Sequence, residues 1–344
     1  MPSRNIIVIG ASAGGFEALQ TLVSALPRDL DASIFVVWHM SPEVRGVLPH
    51  VLNKHVTLPA SNAYDGEPIE LGRIYVAPPD RHMVLEEGRI RITRGPKENR
   101  FRPAVDPLFR SAAYVYGPRV IGIILSGALD DGTSGLWTVK HYGGIAIVQH
   151  PHDAAVSSMP ESALQKVDVD YSLPVAEMSA LLVRLCKESL APESLNLSLT
   201  MKEQKQTETE IRTALDDTDA ARDILQYGEL SKYACPECHG VLVALREGDI
   251  IRFRCHTGHA YSNDSLLAAI TGQIDESLWN AVRGVEESVF LLNHLGDHCA
   301  EVNQPRLAAK YFQKAKEADA RLQALKSLVG SNELLSNDKI AEDA

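Results

Sequence analysis

The chain has 344 residues, 45% of them hydrophobic and 23% charged, which is enough apolar sequence for one large globular domain and a smaller one. The formal net charge of -11 disfavours nucleic acid or an anionic membrane as the main partner, because binding to either needs clustered lysine and arginine. The sequence has neither a secretory signal nor an apolar run long enough to span a bilayer, so we expect a cytoplasmic protein without membrane insertion.

In residues 1–187, short apolar runs typical of buried strands alternate with patterns of helical spacing. The predicted strands are Asn5–Ile9, Ser33–Trp38, Arg119–Leu125 and Ile145–Gln149, and the predicted helices are Phe16–Leu26, Gly46–Asn53 and Gly135–His141. Strands that are apolar throughout and separated by helices favour a mostly parallel sheet covered on both faces. Alternation with period two in Arg73–Val76, His82–Leu85 and Arg89–Thr93 predicts an antiparallel hairpin added to that sheet. The expected fold is therefore a doubly wound α/β domain.

The rest of the chain divides into three segments of different character. Residues 188–231 are polar and acidic and predict a partly helical linker. Residues 232–270 contain closely spaced cysteines and histidines, which predict a small zinc ribbon. Residues 271–330 carry two amphipathic patterns separated by Asn303–Pro305, which predict a helical hairpin.

The segment Gly10–Gly15 places Ser12 in a Gly-x-Ser-x-Gly string between a predicted strand and a predicted helix. A tight strand-to-helix turn of this kind projects the hydroxyl above the carboxyl end of the sheet, and the following helix offers N–H groups to an oxyanion. This pattern favours a serine nucleophile. The alternatives are a purely structural turn and a phosphate-binding turn. The second is weak because Ser12 stands where G-x-G-x-x-G needs a glycine.

A base and a carboxylate follow two other predicted strands. His39 comes directly after Ser33–Trp38, and Asp131 lies in the loop after Arg119–Leu125. Because the carboxyl ends of parallel strands meet at one edge, Ser12, His39 and Asp131 are candidates for nucleophile, base and orienting carboxylate. Asp130 is an alternative to Asp131 on these grounds. The order Ser–His–Asp disfavours ordinary α/β-hydrolases, whose order is Ser–Asp–His.

The cysteine–histidine segment has two knuckles at the ends of a predicted hairpin, which is the arrangement of a zinc ribbon. We expect a structural Zn²⁺ held by Cys235, Cys238, Cys255 and His259, with His239 and His256 as rival ligands. A redox Cys-x-x-Cys pair with unrelated histidines is the alternative interpretation. Four protein ligands leave no open position, so we expect no catalysis at this metal.

Six segments in fixed order resemble the catalytic domain of chemotaxis protein-glutamate methylesterases (CheB type). They are IGASAGG, VVWHMSP, DGEPIELGRIYVAPPDRHMVL, FRPAVDPLFRSAA, GIILSGALDDGTSG and GGIAIVQHPHDAAVSSMPESAL, and the resemblance covers about residues 4–187. It implies a Ser12–His39–Asp131 triad and thereby selects Asp131 over Asp130. The implied reaction is hydrolysis of glutamate γ-methyl esters on methyl-accepting chemoreceptors, with glutamine deamidation in some members and no cofactor for catalysis. The implied partners are methylated chemoreceptor cytoplasmic domains.

The chain departs from the family pattern in three places. Familiar members carry an N-terminal receiver domain and this chain begins at the catalytic domain, so we expect a separate response regulator or another signalling protein as a further partner. Ala13 stands where a threonine is usual, and Leu129 ends a Gly-Ala-Leu string where Gly-Met-Gly is usual. The CPxC…FRCxxGHAYS string also resembles an extension found on some methylesterase-like proteins, which supports His259 over His256 as a ligand.

Two other classes of function remain as hypotheses. In one, the methylesterase-like fold is a regulatory or binding module whose zinc ribbon and helical hairpin dock a signalling partner. In the other, the ribbon binds nucleic acid. The acidic balance and the lack of basic–aromatic clustering around residues 235–260 count against the latter.

Overall fold

The structure is a computed structural model that describes residues 3–39, 46–190 and 199–330. The chain forms two compact units, Met1–Leu266 and Leu267–Ala344. All residues of the predicted triad and of the predicted metal site belong to the first unit.

A seven-stranded sheet forms the centre of residues 3–190, which we call the α/β part. In spatial order its strands are β3 (Ala60–Asn62), β4 (Ile74–Val76), β2 (Ser33–Trp38), β1 (Ile6–Ala11), β7 (Val120–Ile124), β8 (Ile145–Gln149) and β9 (Tyr171–Leu173). Every neighbouring pair is parallel. The predicted mostly parallel, doubly wound sheet is confirmed.

Helices cover both faces of this sheet because its strands are apolar on both sides. Successive side chains of a strand point to opposite faces, so Ile7 and Ile9 of β1 join one buried layer while Ile6 and Val8 join the other. The helices are α1 (Gly15–Ser24), α2 (Val47–Leu52), α3 (Val105–Tyr116), α4 (Thr133–His141), α5 (Ser158–Lys166) and α6 (Val175–Lys187). Helices α1 and α6 pack in the first layer, and α3, α4 and α5 pack in the second.

The antiparallel hairpin forms where it was predicted but is not part of the main sheet. Its strands, β5 (His82–Glu86) and β6 (Arg89–Thr93), pair with each other in a separate two-stranded sheet, and Arg89 also forms an isolated bridge with Pro68. The third segment of the predicted hairpin region is the parallel strand β4, which has β2 on one side and β3 on the other. No edge of β4 is therefore available to the hairpin, which packs on α3 instead, with Leu85 N–H donating to Ser111 Oγ at 3.0 Å.

The acidic segment after the α/β part folds onto it. Helix α7 (Met201–Ala214) begins with a capping box formed by Thr200 and Glu203, and α8 (Thr218–Asp223) follows. Ile211 and Ala214 of α7 pack against Val84 of β5. The amphipathic character of α7 is thus used to bury an apolar face on the hairpin.

The cysteine–histidine segment is a four-stranded antiparallel sheet that we call the ribbon. It consists of β10 (Glu229–Ala234), β11 (Val241–Glu247), β12 (Ile250–Cys255) and β13 (Ala260–Ser262). Six charged side chains, all buried, join the ribbon and α7 to the α/β part; they are Glu98, Arg110, Glu210, Glu247, Arg252 and Arg254. Because three are cationic and three anionic, the cluster is balanced in charge.

Two long helices end the described part of the chain, α9 (Asn263–Glu301) and α10 (Pro305–Gly330), and they confirm the predicted helical hairpin. In the second unit, Val282 of α9 packs with Leu322 and Val329 of α10. Lys326 forms an ion pair with Glu286 at 2.9 Å. None of the helices in the described ranges combines the length and the apolar character needed to cross a membrane.

Candidate functional site

The three predicted triad residues lie at neighbouring strand ends. Strand β1 pairs in parallel with β2 and β7, and Ala11 is level with Trp38 while Gly10 is level with Ile124. Ser12 and His39 are each the next residue after a paired position, and the His39 N–H donates to Ala11 O at 3.0 Å. Strands in a sheet are about 4.8 Å apart, so this register places Ser12 and His39 side by side.

The turn around Ser12 depends on close packing that only glycine permits. Gly14 has a left-handed φ of 66°, and a Cβ on it would come within 2.5 Å of Ala155 Cβ. A Cβ on Gly127 would come within 2.8 Å of Ser12 Cβ. The Ser12 N–H donates to Ser126 O at 3.0 Å, which ties the turn to the loop after β7. In the described part of the chain, the N–H groups of Ala13 and Gly14 donate no hydrogen bond and lie at the start of α1, where an oxyanion is favoured.

His39 and Asp131 are in direct contact in a dry environment. The distance from His39 Nε2 to Asp131 Oδ2 is 2.7 Å, and the two side chains are 3% and 1% exposed. The His39 ring stacks on Phe101 with centroids 3.9 Å apart. Its Nδ1 is buried and has no hydrogen-bond partner among the described residues, so Nδ1 is the nitrogen available to a nucleophile.

The carboxylate of Asp131 is held in its charged form. Burial by itself raises the pKa, but the hydrogen bond and charge of His39, the Val105 N–H and the Asn99 amide outweigh burial and lower the pKa of Asp131. The Val105 N–H donates to Oδ2 at 2.7 Å, and Asn99 Nδ2 donates to Oδ1 at 2.8 Å. A charged Asp131 is what an imidazole base needs as its orienting partner.

Asp130, the alternative left open by the sequence pattern, points elsewhere. Its Oδ1 accepts from Ser262 Oγ at 2.6 Å, and its Oδ2 lies 3.4 Å from Lys166 Nζ. Burial, together with the nearby Asp264, raises the pKa of Asp130 to about 6. The structure therefore brings Asp131 and not Asp130 to His39.

Sequence reasoning missed Asn99 and Asp106, which lie beneath the predicted triad. Asn99 Nδ2 donates to Asp106 Oδ2 at 2.8 Å as well as to Asp131, and the Gly135 N–H donates to Asp106 Oδ1 at 2.7 Å. Burial and the adjacent Asp131 raise the pKa of Asp106 to about 8. The raised pKa favours the neutral form of Asp106 beside the charged carboxylate of Asp131. Its position in the FRPAVDPLF string was the only available signal.

Leu129 departs from the family pattern at a position with unusual backbone geometry. Its φ is 63°, in the left-handed region that favours glycine, and its N–H donates to Ser158 Oγ at 3.0 Å. The glycine that the family pattern has here would take this conformation without strain.

A cleft of about 130 Å³ opens beside His39. Its lining is His39, Asp80, Lys97, Arg100, Phe101, Arg102 and Pro103. Two of its cationic side chains form ion pairs, Arg102 with Asp80 at 2.7 Å and Lys97 with Glu237 at 2.9 Å.

The predicted metal ligands also come together, in the ribbon. One donor atom from each of Cys235, Cys238, Cys255 and His259 lies within 4.8 Å of the others, and in the described chain neither rival histidine, His239 nor His256, joins this group. The Cys238 Sγ–Cys255 Sγ distance is 3.6 Å, and His259 Nδ1 lies 3.7 Å from Cys235 Sγ and 3.6 Å from Cys255 Sγ.

These spacings fit a tetrahedral ion. Zinc bonds of about 2.3 Å to sulfur and about 2.0 Å to nitrogen separate ligand atoms by roughly 3.5–3.8 Å. The N–H groups of Glu237 and Cys238 donate to the Cys235 sulfur, which is the kind of outer contact that stabilises a metal-bound thiolate. His256 has its own place, packed over Gly240.

A parallel α/β sheet with serine, histidine and a charged aspartate at adjacent carboxyl strand ends has the arrangement of a serine hydrolase. Residues 7–182 match the family described as CheB methylesterase. This match covers more than half of the chain, and the chain belongs to the CheB methylesterase family. The resemblance identified from the sequence is confirmed.

Relatives of known name support this assignment over the same region. A relative from Leptospira interrogans is 37% identical over 185 residues, which are 54% of this chain and 96% of that protein. The protein-glutamate methylesterase/protein-glutamine glutaminase of Thermotoga maritima is 36% identical over 187 residues, 53% of this chain and 54% of that protein. Protein-glutamate methylesterase/protein-glutamine glutaminase 2 of Methanosarcina mazei is 33% identical over 192 residues, 54% of this chain and 52% of that protein. The chain thus spans about half the length of the last two relatives.

A solved structure shows the same fold. The crystal structure of the Thermotoga maritima CheB methylesterase catalytic domain matches with a TM-score of 0.51 and 35% identity, covering 54% of this chain and 100% of that one.

Proposed function

We propose that this chain is a protein-glutamate methylesterase that hydrolyses glutamate γ-methyl esters on chemoreceptors. The observation that carries the proposal is the buried His39–Asp131 contact of 2.7 Å beside Ser12, at adjacent strand ends of a family member's fold. The relatives' names supply the substrate class. No specific observation favours the alternative of a catalytically silent binding module.

In the proposed reaction, Ser12 Oγ attacks the ester carbonyl while His39 Nδ1 takes its proton. The imidazolium that forms is stabilised by Asp131, which already accepts from Nε2. In this mechanism the Ala13 and Gly14 N–H groups donate to the oxyanion. Methanol leaves with the proton from His39, and water then cleaves the acyl-enzyme by the same steps in reverse. The same sequence applied to a glutamine side chain releases ammonia.

Methanol release from a receptor fragment tests this proposal. The fragment is methylated with a labelled methyl group and incubated with the wild-type chain, with Ser12→Ala and with Ser24→Ala. Ser24 is an exposed serine at the end of α1, and it serves as the matched control. We expect release from wild type and Ser24→Ala and a loss of at least about 10³-fold in Ser12→Ala. Equal release from wild type and Ser12→Ala would refute the assignment of the nucleophile, and no release from either would refute the activity.

We also propose that the ribbon holds one structural Zn²⁺ through Cys235, Cys238, Cys255 and His259. A bound Zn²⁺ would cross-link the two knuckles of a sheet too small to be stable by itself. We expect one equivalent of zinc by elemental analysis and its loss in Cys235→Ser, with Cys186→Ser, a buried cysteine outside the group, as the matched control. A metal-free protein with an unchanged melting temperature would contradict this proposal.

Membership of the family also supports a proposal for the place and the partners of this chain. We propose that the chain acts in the cytoplasm on the methylated cytoplasmic domains of chemoreceptors. A separate response regulator or another signalling protein is the further partner that we propose for its control.

A further inference from the structure

We propose that Asn99 is a positioning residue for Asp131 and that the ribbon sets its orientation, so that the ribbon is part of the support of the active site. This inference rests on the proposed roles of Ser12, His39 and Asp131. It assigns to the C-terminal extension a task in the support of the proposed catalytic residues.

The side chain of Asn99 is fully used by hydrogen bonds on both sides. Its Nδ2 donates to Asp131 Oδ1 and Asp106 Oδ2, both at 2.8 Å. Its Oδ1 accepts from the Ser262 N–H at 3.0 Å and from Ser265 Oγ at 3.1 Å. Asn99, Asp106 and Asp131 are each at most 3% exposed, so water does not compete for these groups.

The donor on the ribbon side determines which way the amide faces. A backbone N–H can only donate, so Ser262 requires the oxygen of Asn99 on its side and leaves the NH₂ group for Asp131. A flipped amide would set its NH₂ group against the Ser262 N–H and its oxygen against the Asp131 carboxylate. The ribbon thus selects the one orientation in which Asn99 donates to Asp131.

The backbone of this region is tied to the ribbon as well. The Asn99 N–H donates to Ala260 O at 2.8 Å, and the Ala260 N–H donates to Lys97 O at 3.2 Å. Asn99 has a left-handed φ of 50°, a conformation that asparagine tolerates better than most residues. Strand β13 therefore holds both the main chain and the side chain of the residue that contacts Asp131.

The first turn of α9 completes the support. The Ser262 N–H also donates to Ser265 Oγ at 2.8 Å, and the Ser265 N–H donates back to Ser262 Oγ at 3.0 Å, which is a reciprocal cap. Ser262 Oγ in turn donates to Asp130, the residue next to Asp131. Both aspartates of the loop after β7 are thus held through Ser262 and Ser265.

Two variants and one matched control test the inference in the full chain. Asn99→Gly removes the amide and keeps a residue that accepts the left-handed backbone. Ser265→Ala removes one of the two donors to Asn99 Oδ1. Ser231→Ala is the control, since Ser231 lies in the ribbon and donates to Leu242 O at 2.7 Å without contacting Asn99.

The first measurement is the modification of Ser12 by a fluorophosphonate. Ser12 Oγ forms a bond to phosphorus, fluoride leaves, and His39 takes the serine proton, so the maximal rate reports on the triad without a receptor substrate. Asn99→Gly loses a hydrogen bond to the charged Asp131. We therefore expect the maximal rate of labelling to fall by about tenfold to a hundredfold, while the reagent concentration for half-saturation stays unchanged. Loss of one neutral donor in Ser265→Ala corresponds to about twofold to tenfold.

The second measurement is the far-downfield ¹H NMR resonance of the proton between His39 Nε2 and Asp131, assigned by its loss in His39→Gln. We expect it to shift or broaden in Asn99→Gly and Ser265→Ala and to remain unchanged in Ser231→Ala. If both variants fold and keep the labelling rate and the resonance of the wild type, the inference is wrong. If Asn99→Gly does not fold, the result for Ser265→Ala decides. If the wild-type chain shows the resonance but releases no methanol, the proposed substrate is wrong. The role of Asn99 is then still decided by the change of the resonance in the two variants.

Discussion

The buried charges between the ribbon and the α/β part predict a large effect for Glu210→Gln. Glu210 contacts all three arginines of the cluster, with nitrogen–oxygen distances of 2.5 Å to Arg252, 2.9 Å to Arg254 and 3.2 Å to Arg110. Glutamine has nearly the same shape but no charge. The substitution therefore leaves three buried guanidinium groups against two carboxylates. In addition, the NH₂ group of the glutamine is a donor and faces the donors of arginine.

The expected loss of stability follows from this uncompensated charge. Removing one partner of a buried ion pair costs about 3–5 kcal/mol. For a domain of this size each kcal/mol lowers the melting temperature by about 2–4 °C, so the melting temperature of Glu210→Gln should fall by roughly 10 °C. The cost exceeds that of a surface pair because every member of the cluster is excluded from water.

The cluster also makes acid stability sensitive to this substitution. Burial favours the neutral form, but the three arginines outweigh burial and hold the pKa of Glu98 at about 2 and that of Glu210 well below its ordinary value of 4.5. Carboxylates with lowered pKa contribute stability above their ordinary pKa, and the contribution is lost as the pH falls toward the lowered value. Between pH 4.5 and pH 2 the wild type should therefore lose more stability than Glu210→Gln.

Thermal and urea unfolding followed by circular dichroism measure both effects. Glu208→Gln is the matched control, because Glu208 lies on the same helix two residues earlier and is exposed. We expect Glu208→Gln within about 0.5 kcal/mol of the wild type. If Glu210→Gln melts at the same temperature as Glu208→Gln, the six charges do not form the balanced buried cluster from which the magnitude was derived.

Three further predictions concern the active-site loops. Because Leu129 has a φ of 63°, Leu129→Gly should be more stable than Leu129→Ala by about 1 kcal/mol in urea unfolding. This is the reverse of the usual order of glycine and alanine. A more stable alanine variant would contradict the left-handed backbone. A Cβ on Gly127 would come within 2.0 Å of Met159 Sδ and 2.8 Å of Ser12 Cβ, so the turn around Ser12 must shift. Gly127→Ala should therefore lower the rate of Ser12 modification by about 10²-fold, and an unchanged rate would refute the packing. Burial and Asp131 raise the pKa of Asp106 from its ordinary value of 3.8 to about 8, so its contribution to stability is lost as the pH rises between these values. Asp106→Asn should abolish this loss in unfolding curves at pH 5–9. A parallel pH dependence in both proteins would contradict the raised pKa.

The strands of the α/β part were predictable because each carries its own signal. Ser33–Trp38 and Ile145–Gln149 have the predicted bounds of β2 and β8, since a continuous apolar run needs burial on both faces wherever it lies. The three-residue strands β3 and β9 are too short to show a period and were missed. The hairpin was predicted correctly. That its two strands form a sheet of their own could not be read from the sequence, because pairing between distant segments leaves no local pattern.

The residues of the proposed triad could be located before the structure for a related reason. Parallel strands bring their carboxyl ends to one edge, so the residues after three apolar runs had to be neighbours, although the choice between Asp130 and Asp131 needed the family resemblance or the contact with His39. The cysteines and His259 were recognisable because the spacing of ligands in a ribbon is itself a sequence pattern.

Sequence by itself therefore determined the α/β class, the candidate nucleophile and base, and the candidate metal ligands, since each depends on local periodicity or spacing. Tertiary structure alone decided that the ribbon packs against the site. The contact between Ser262 and Asn99 joins residues 163 positions apart, and the charge cluster joins three segments whose arginines and glutamates look like ordinary surface residues in sequence. Burial gives those charges and that amide their energetic weight, and burial of polar groups follows from how segments pack rather than from the pattern within any one of them.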